Sequence, residues 1–139
     1  MGQQQLLLII LGTIIVGVAV AVAIGLFNSQ AAATNRDEIS NDLAHYATMA
    51  QGYFRKPRVL GGGGRSFNGL TMSKITAVYQ HPRHLNGTYS LDPDPVSSDP
   101  PFVTFVGVGT ETGNNGTERV KVVMYVYADS VTVDESLGN

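Results

Sequence analysis

The sequence predicts an α+β protein in which a long N-terminal hydrophobic helix packs, by its C-terminal half, against a small antiparallel β-sheet head. An uncharged apolar run opens the chain, an amphipathic stretch without helix breakers follows it, and short β-rich runs separated by turn residues make up the rest. We expect residues 1–56 to form the helix and residues 57–139 to form the head.

The apolar run extends from Leu6 to Phe27, and the first charged side chain of the whole sequence is Arg36. About 20 apolar residues suffice for a helix to cross a bilayer, so residues 6–27 are predicted to span a membrane or to form the core of an assembly. A cleaved secretory signal is the alternative. Such signals begin with basic residues, which this sequence lacks, so we expect the segment to be retained, although Ala31–Ala33 leave a cleavage site open.

Small residues recur along one side of this predicted helix. Gly17, Ala21 and Gly25 are four residues apart, which places them on one face and allows another helix to approach closely. The alternative is that glycine is simply frequent in membrane helices. With the larger apolar residues before them, they form the predicted helix contacts: Leu6, Leu7, Ile10, Ile14, Gly17, Ala21 and Gly25.

Residues 28–56 are predicted to continue the same helix with one apolar face. No proline occurs before Pro57, no glycine lies between Gly25 and Gly52, and apolar residues from Ile39 onward recur at helical spacing. The helix should therefore run from about residue 3 to about residue 54. Basic residues suit its C-terminal end, and the glycine run 61–64 is expected to be a flexible loop.

The head is predicted to be an antiparallel sheet. Runs rich in Val, Tyr, Thr and Phe indicate strands at residues 74–80, 87–91, 102–108, 118–128 and 130–133. Residues 113–116 (GNNG) should form a hairpin turn. In the strand after this turn, Val120, Val122, Met124 and Val126 alternate with other residues, and this apolar side should cover the helix.

Composition argues against several classes of function. A formal net charge of −2 gives no basic face, so nucleic acid is not an expected partner, and the absence of cysteine excludes disulfides and thiolate sites. His81 and His84, the glycine run, and the aspartates of LDPDPVSSDPP are interpreted as turns and loops. We predict no catalytic, cofactor or metal site, and we do not expect an enzyme.

The opening residues MGQQQLLLIILG resemble the start of a mature type IV pilin, and the whole predicted architecture resembles the type IV pilin superfamily, including archaeal pilins and archaellins. The resemblance implies a cell-surface filament of identical subunits, which lie in the cytoplasmic membrane before assembly and are extracellular afterwards. It also implies pilus assembly machinery and a prepilin peptidase as partners. The resemblance does not distinguish adhesion, motility, DNA uptake and secretion as roles of the filament, or a bacterial from an archaeal subclass.

Two alignments with mature pilins are open. In one, Met1 is the first mature residue and Gln5 takes the place of a usual glutamate. In the other, Gly2 precedes the peptidase cut and Gln3 becomes the new terminus. The sequence departs from bacterial pilins in having no proline within the apolar run and no C-terminal cysteine pair.

The main alternative is a single-pass membrane-anchored binding module outside the cytoplasm, or a pseudopilin-like secretion component. A tethered module tolerates a flexible linker after its anchor, whereas residues 28–54 keep helix propensity and an apolar stripe. Asn86 and Asn115 each begin an Asn-Gly-Thr triplet and are candidate N-glycosylation sites; the same triplets also serve as ordinary turns.

Overall fold

The computed structural model describes residues 2–76 and 85–134 and shows one long helix packed on a four-stranded antiparallel sheet. The predicted α+β fold is confirmed. In chain order the elements are α1 (Gly2–Arg55), a 3-10 turn (Arg58–Leu60), α2 (Met72–Thr76), β1 (Gly87–Asp92), β2 (Phe102–Thr112), β3 (Arg119–Tyr127) and β4 (Val131–Asp134). Consecutive strands are neighbours in the sheet, in the order β1-β2-β3-β4.

Helix α1 contains 54 residues and is therefore about 80 Å long at 1.5 Å per residue. It extends one residue beyond the predicted range at each end. Its buried residues lie between Ala32 and Ala50, so only the C-terminal half contacts the head. The described residues before Ala32 are exposed, apart from the partly exposed Ala23.

The glycine run after α1 forms a hydrogen-bonded cap on the helix. The N–H of Gly63 donates to the carbonyl of Tyr53 (2.8 Å), and the N–H of Arg65 donates to the carbonyl of Phe54 (2.7 Å). A side chain at Gly63 would overlap the Ser66 carbonyl. These bonds satisfy carbonyls that a helix end leaves without partners, a role that differs from the flexible loop predicted from composition.

The strand predicted at residues 74–80 is wrong for its first three residues, which belong to the short helix α2. The Thr71 side-chain oxygen accepts the Lys74 N–H at 3.2 Å, as an N-cap residue does, and Met72 is fully buried. Capping and burial of Met72 therefore outweigh the β propensity of the run. Residues 77–80, and the turn predicted around His81 and His84, lie outside the described residues.

The other predicted strands are confirmed, and β2 and β3 pack on α1. Val120, Val122, Met124 and Val126 of β3 are all buried. Val122, Met124 and Val126 pair across the sheet with inward-facing residues of β2, and Tyr89 and Leu91 of β1 extend the same face. On the helix side, the core consists of Ala32, Ile39, Leu43, Tyr46, Ala47 and Ala50.

The hairpin between β2 and β3 is confirmed. The Gly113 N–H donates to the Glu118 carbonyl at 2.8 Å, and Gly116 has a φ of +70°, which glycine adopts without strain. On the outer face of the sheet, Phe102 contacts Tyr125 edge-on with ring centroids 5.6 Å apart. Tyr125 and Tyr127 on this face are both half-buried, and both rings pack on Phe102.

Candidate assembly surface

The N-terminal half of α1 presents a large apolar surface. Its large hydrophobic side chains are exposed by between 49% (Leu11) and 74% (Phe27). The helix is long and apolar enough to cross a membrane, which favours membrane association or export. Such a surface is stable only in an apolar environment, so this half of α1 requires lipid or protein around it.

The seven predicted helix contacts all lie within this exposed half. Leu6, Leu7, Ile10 and Ile14 are each more than half exposed, and Gly17, Ala21 and Gly25 are exposed as well. At 3.6 residues per turn, the seven positions fall within about 100° of the helix circumference. We define this stripe of seven residues as the seam.

The seam continues the face of α1 that contacts the head. Gly25 is followed, at intervals of seven residues or nearly two turns, by Ala32, Ile39 and Tyr46, which are all buried against the sheet. A helix that packs along the seam would therefore reach the underside of the head.

Among the residues that the structure describes, none packs against the glycines of the apolar half of α1. A methyl group added to Gly12, Gly17 or Gly25 would meet no atom within 4 Å. Each glycine costs a helix about 1 kcal/mol relative to alanine. Since nothing inside the subunit requires them, these residues fit a close contact with another helix.

A cluster of polar groups fastens α1 to β1. The buried Tyr89 hydroxyl donates to the Asp42 carboxylate, and the Asn86 side-chain amide lies 3.4 Å from the same oxygen. Burial, reinforced by this hydrogen bond, raises the pKa of Tyr89 well above its usual value, so Tyr89 stays a donor. Burial beside Asp42 also raises the pKa of Tyr46.

Two clefts lie where α1 leaves the head. One, of about 450 Å³, separates Gly25 and Ser29 from the hairpin loop, where it is lined by residues 111–114 and 116. The other, of about 500 Å³, has apolar and acidic walls, and we call it the neck cleft. Its lining includes Phe27, Ala31, Glu38, Leu85 and Glu111.

The two candidate glycosylation sites differ in environment. Asn115 is exposed at the hairpin tip, and its side-chain oxygen accepts the N–H groups of Thr117 (3.1 Å) and Glu118 (3.0 Å). Asn86 is half-buried, and its side-chain nitrogen donates to Asp42. N-glycosylation modifies the side-chain nitrogen. In Asn86 this nitrogen already donates a hydrogen bond to Asp42, whereas Asn115 lies in an exposed loop.

The remaining polar features have structural partners. Asp99 accepts a hydrogen bond from Ser66 (2.7 Å), and Asp94 lies 3.4 Å from the backbone nitrogen of Met72. Within residues 2–76 and 85–134, no group of three or more His, Asp or Glu side chains is placed to hold a metal ion. Gly2, the candidate processing residue, and Gln5 are both exposed.

Comparison of the chain with family models, curated proteins and solved structures found no match. The architecture is nevertheless pilin-like: a long N-terminal apolar helix packs by its second half on a four-stranded antiparallel sheet.

The structure also reveals surface features that the sequence analysis missed. Leu85 and Val59 are exposed by 97% and 96%, and Leu60 by 64%. Each follows a segment rich in basic or polar residues. An apolar run this short has no periodicity, so its exposure could not be predicted from the sequence.

Proposed function

We propose that the chain is a structural subunit that polymerises into an extracellular, type IV pilus-like filament through the seam of α1. The observation that carries this proposal is the division of one continuous helix into an exposed apolar half and a half buried on the head. The helix gives the subunit a rigid rod whose lower part only other copies or lipid can cover.

The free energy of apolar burial favours two surroundings for this helix: lipid before assembly and a bundle of helices afterwards. A 22-residue apolar segment carries on the order of 1,000 Å² of apolar side-chain surface, whose burial is worth on the order of tens of kcal/mol. Extraction from the membrane into water is therefore unfavourable. Extraction into a bundle of identical helices replaces lipid contacts by protein contacts, and head-to-tail repetition then extends as an open helix.

The continuity of α1 supports a filament over an anchored binding module. The segment between the apolar half and the first residue buried on the head, residues 28–31, is helical, and the contacts of Asn35 and of Asp42 with Tyr89 hold the helix to the head above it. A module that only needs tethering gains nothing from a rigid connection. A packed bundle needs one, because each head must keep a fixed position relative to its helix.

The proposed cellular locations of the subunit follow from this assembly. The subunit resides in the cytoplasmic membrane, prepilin peptidase and pilus assembly machinery act on it there, and the filament is exposed on the cell surface. Its partners are copies of itself, and its role is structural rather than catalytic.

The test is electron microscopy of material sheared from cells that express the chain, combined with mass spectrometry of its N-terminus. We expect thin filaments that contain the chain, and a terminus at either Met1 or Gln3. Recovery of the chain only from the membrane fraction, with no filaments, would instead indicate the anchored module.

A further inference from the structure

The end of the head farthest from the apolar half carries an exposed apolar projection. Val59 and Leu60 lie in the 3-10 turn after α1, and they are exposed by 96% and 64%. We call these two residues the knob. The knob is held in place, because the Arg58 side chain donates to the Gly63 carbonyl (3.2 Å) and the Gly62 N–H donates to the Pro57 carbonyl (3.1 Å).

Basic residues flank the knob in the sequence. Four basic residues here are exposed: Arg55, Lys56, Arg58 and Arg65. Arg55 and Arg65 also line an adjoining depression, where the acidic lining residue is Asp129. Between Ala44 and Leu91 the sequence contains no Asp or Glu. The distal end of the head is therefore an apolar projection with a positive rim.

The neck cleft has the opposite character at the other end of the head. Phe27 and Leu85 give it apolar walls, and the exposed Glu38 and Glu111 give it an acidic rim. The neighbouring Arg36 is half-buried within its own subunit. The cleft is thus concave and negative where the knob is convex and positive.

One subunit cannot bring the knob to its own neck cleft. Glu38 and Arg55 are 17 residues apart on one straight helix, which separates the two ends by about 25 Å. Complementary surfaces at opposite ends of a rigid body favour head-to-tail contact between copies, which repeats without closing.

We infer that the knob of one subunit docks into the neck cleft of a second copy, so that Val59 and Leu60 pack on Phe27 and Leu85 while the basic rim faces Glu38 and Glu111. This contact rests on the proposed filament function and gives it a second interface, formed by the heads and separate from the seam. Burial of the apolar pair supplies affinity, and the charged rims set orientation and salt sensitivity.

Cysteine cross-linking tests the contact, because the chain has no cysteine of its own. A variant with both Val59→Cys and Leu85→Cys is assembled into filaments and oxidised with a copper catalyst and dissolved oxygen. A disulfide requires Cβ atoms about 4 Å apart, so only direct contact is captured. We expect the double variant to shift from monomer to a ladder of covalent oligomers on a denaturing gel.

The single variants and a mismatched pair are the controls. Val59→Cys alone and Leu85→Cys alone should remain monomeric, as should Val59→Cys combined with Met49→Cys, since Met49 is exposed on α1 outside the neck cleft. Both target side chains are nearly fully exposed, so neither substitution removes a packed group.

The outcomes separate this contact from the proposed function. Filaments that yield no ladder would overturn the docking and leave the filament standing, whereas absence of filaments from the unsubstituted chain would overturn both. Oligomers from a single variant would show like-with-like contact and refute the pairing. Leu85→Cys that is protected from a water-soluble maleimide in vesicles but reactive in filaments would assign the cleft to the lipid surface instead.

Discussion

Gly109 of β2 lies directly against Asn35 of α1, so close that a methyl group on Gly109 would overlap the Asn35 side-chain oxygen. The Asn35 amide donates to the Asn86 carbonyl at 2.8 Å, and its oxygen lies 3.4 Å from the backbone nitrogen of Glu111. This buried asparagine therefore joins the helix to β2 and to the residue before β1, and it fits there because β2 carries a glycine at that point.

Replacing this glycine should loosen the helix from the sheet. We expect Gly109→Ala to lower the free energy of unfolding by about 1–3 kcal/mol, since the added methyl must displace Asn35 or push the strand away. The measurement is chemical denaturation of the purified chain in detergent micelles, followed by the circular dichroism of the head.

Gly52→Ala is the matched control for this substitution. Gly52 lies in α1, and a methyl group there would meet no atom within 4 Å. The change should raise stability by up to about 1 kcal/mol, because alanine favours the helix. Equal effects of the two substitutions would show that the contact of Gly109 with Asn35 contributes nothing.

The seam makes a second prediction, about assembly rather than folding. Ala21→Leu should leave the stability of the isolated subunit unchanged, since Ala21 is exposed, but it should sharply reduce filament yield by keeping helices apart. Ala19→Leu provides the matched control, because Ala19 is also exposed and lies about 200° around the helix. Filament mass recovered by shearing is the measurement.

A result in which both leucine variants assemble equally well would remove the seam from the assembly model. A result in which Ala19→Leu alone fails would place the helix contact on the opposite side of α1.

Much of the fold could be predicted from the sequence because its strongest signals are local. The uncharged run before Arg36, the lack of proline before Pro57 and the alternation from Val120 to Val126 each follow from the periodicity of a single element. The hairpin turn was predictable for the same reason, since Gly113 and Gly116 impose a turn on their own neighbours.

Features that depend on two distant segments were not predicted. The overlap that Gly109 avoids involves a side chain more than 70 residues away, and the capping role of Gly63 depends on where α1 ends in space. The predicted strand was wrong at residues 74–76, because Thr71 caps a helical turn there and Met72 is buried in the core. β propensity records neither effect.

The raised pKa of Tyr89 predicts a loss of stability at high pH. The usual tyrosine pKa is 10.0, and Tyr89 keeps its proton above that value only in the folded chain. Its contribution is therefore complete below pH 10 and is lost as the pH rises above 10, where the unfolded chain releases the proton. The slope should be about 1.4 kcal/mol per pH unit for this one proton.

Denaturation of the full chain in micelles between pH 9 and about pH 11.5 measures this slope, using steps small enough to resolve one proton. Tyr89→Phe should be less stable than the unsubstituted chain at pH 9, because Asp42 loses a buried donor, and its stability should fall less steeply above pH 10. Tyr125→Phe is the control, since Tyr125 lies half-buried on the outer face, away from Asp42. Identical slopes for all three proteins would refute the role assigned to Tyr89.

The last prediction concerns the two Asn-Gly-Thr triplets. If the chain meets an N-glycosyltransferase, Asn115 should carry the glycan and Asn86 should stay unmodified in the folded protein. Asn115 is exposed at a hairpin tip, while the Asn86 amide is held by Asp42 and its carbonyl accepts from Asn35. Modification of Asn86 would therefore disturb the hydrogen bond from its side-chain nitrogen to Asp42.

Glycopeptide mass spectrometry of chain purified from a glycosylating host measures the occupancy of each site. Thr117→Ala should abolish the glycan, whereas Thr88→Ala should leave it unchanged, because each removes the hydroxyl required by one triplet. Occupancy of Asn86 in the unsubstituted chain would mean that transfer precedes docking of β1 on α1. Asp42 and Asn35 would then close around an already modified residue, and the polar cluster would have to form without the Asn86 amide.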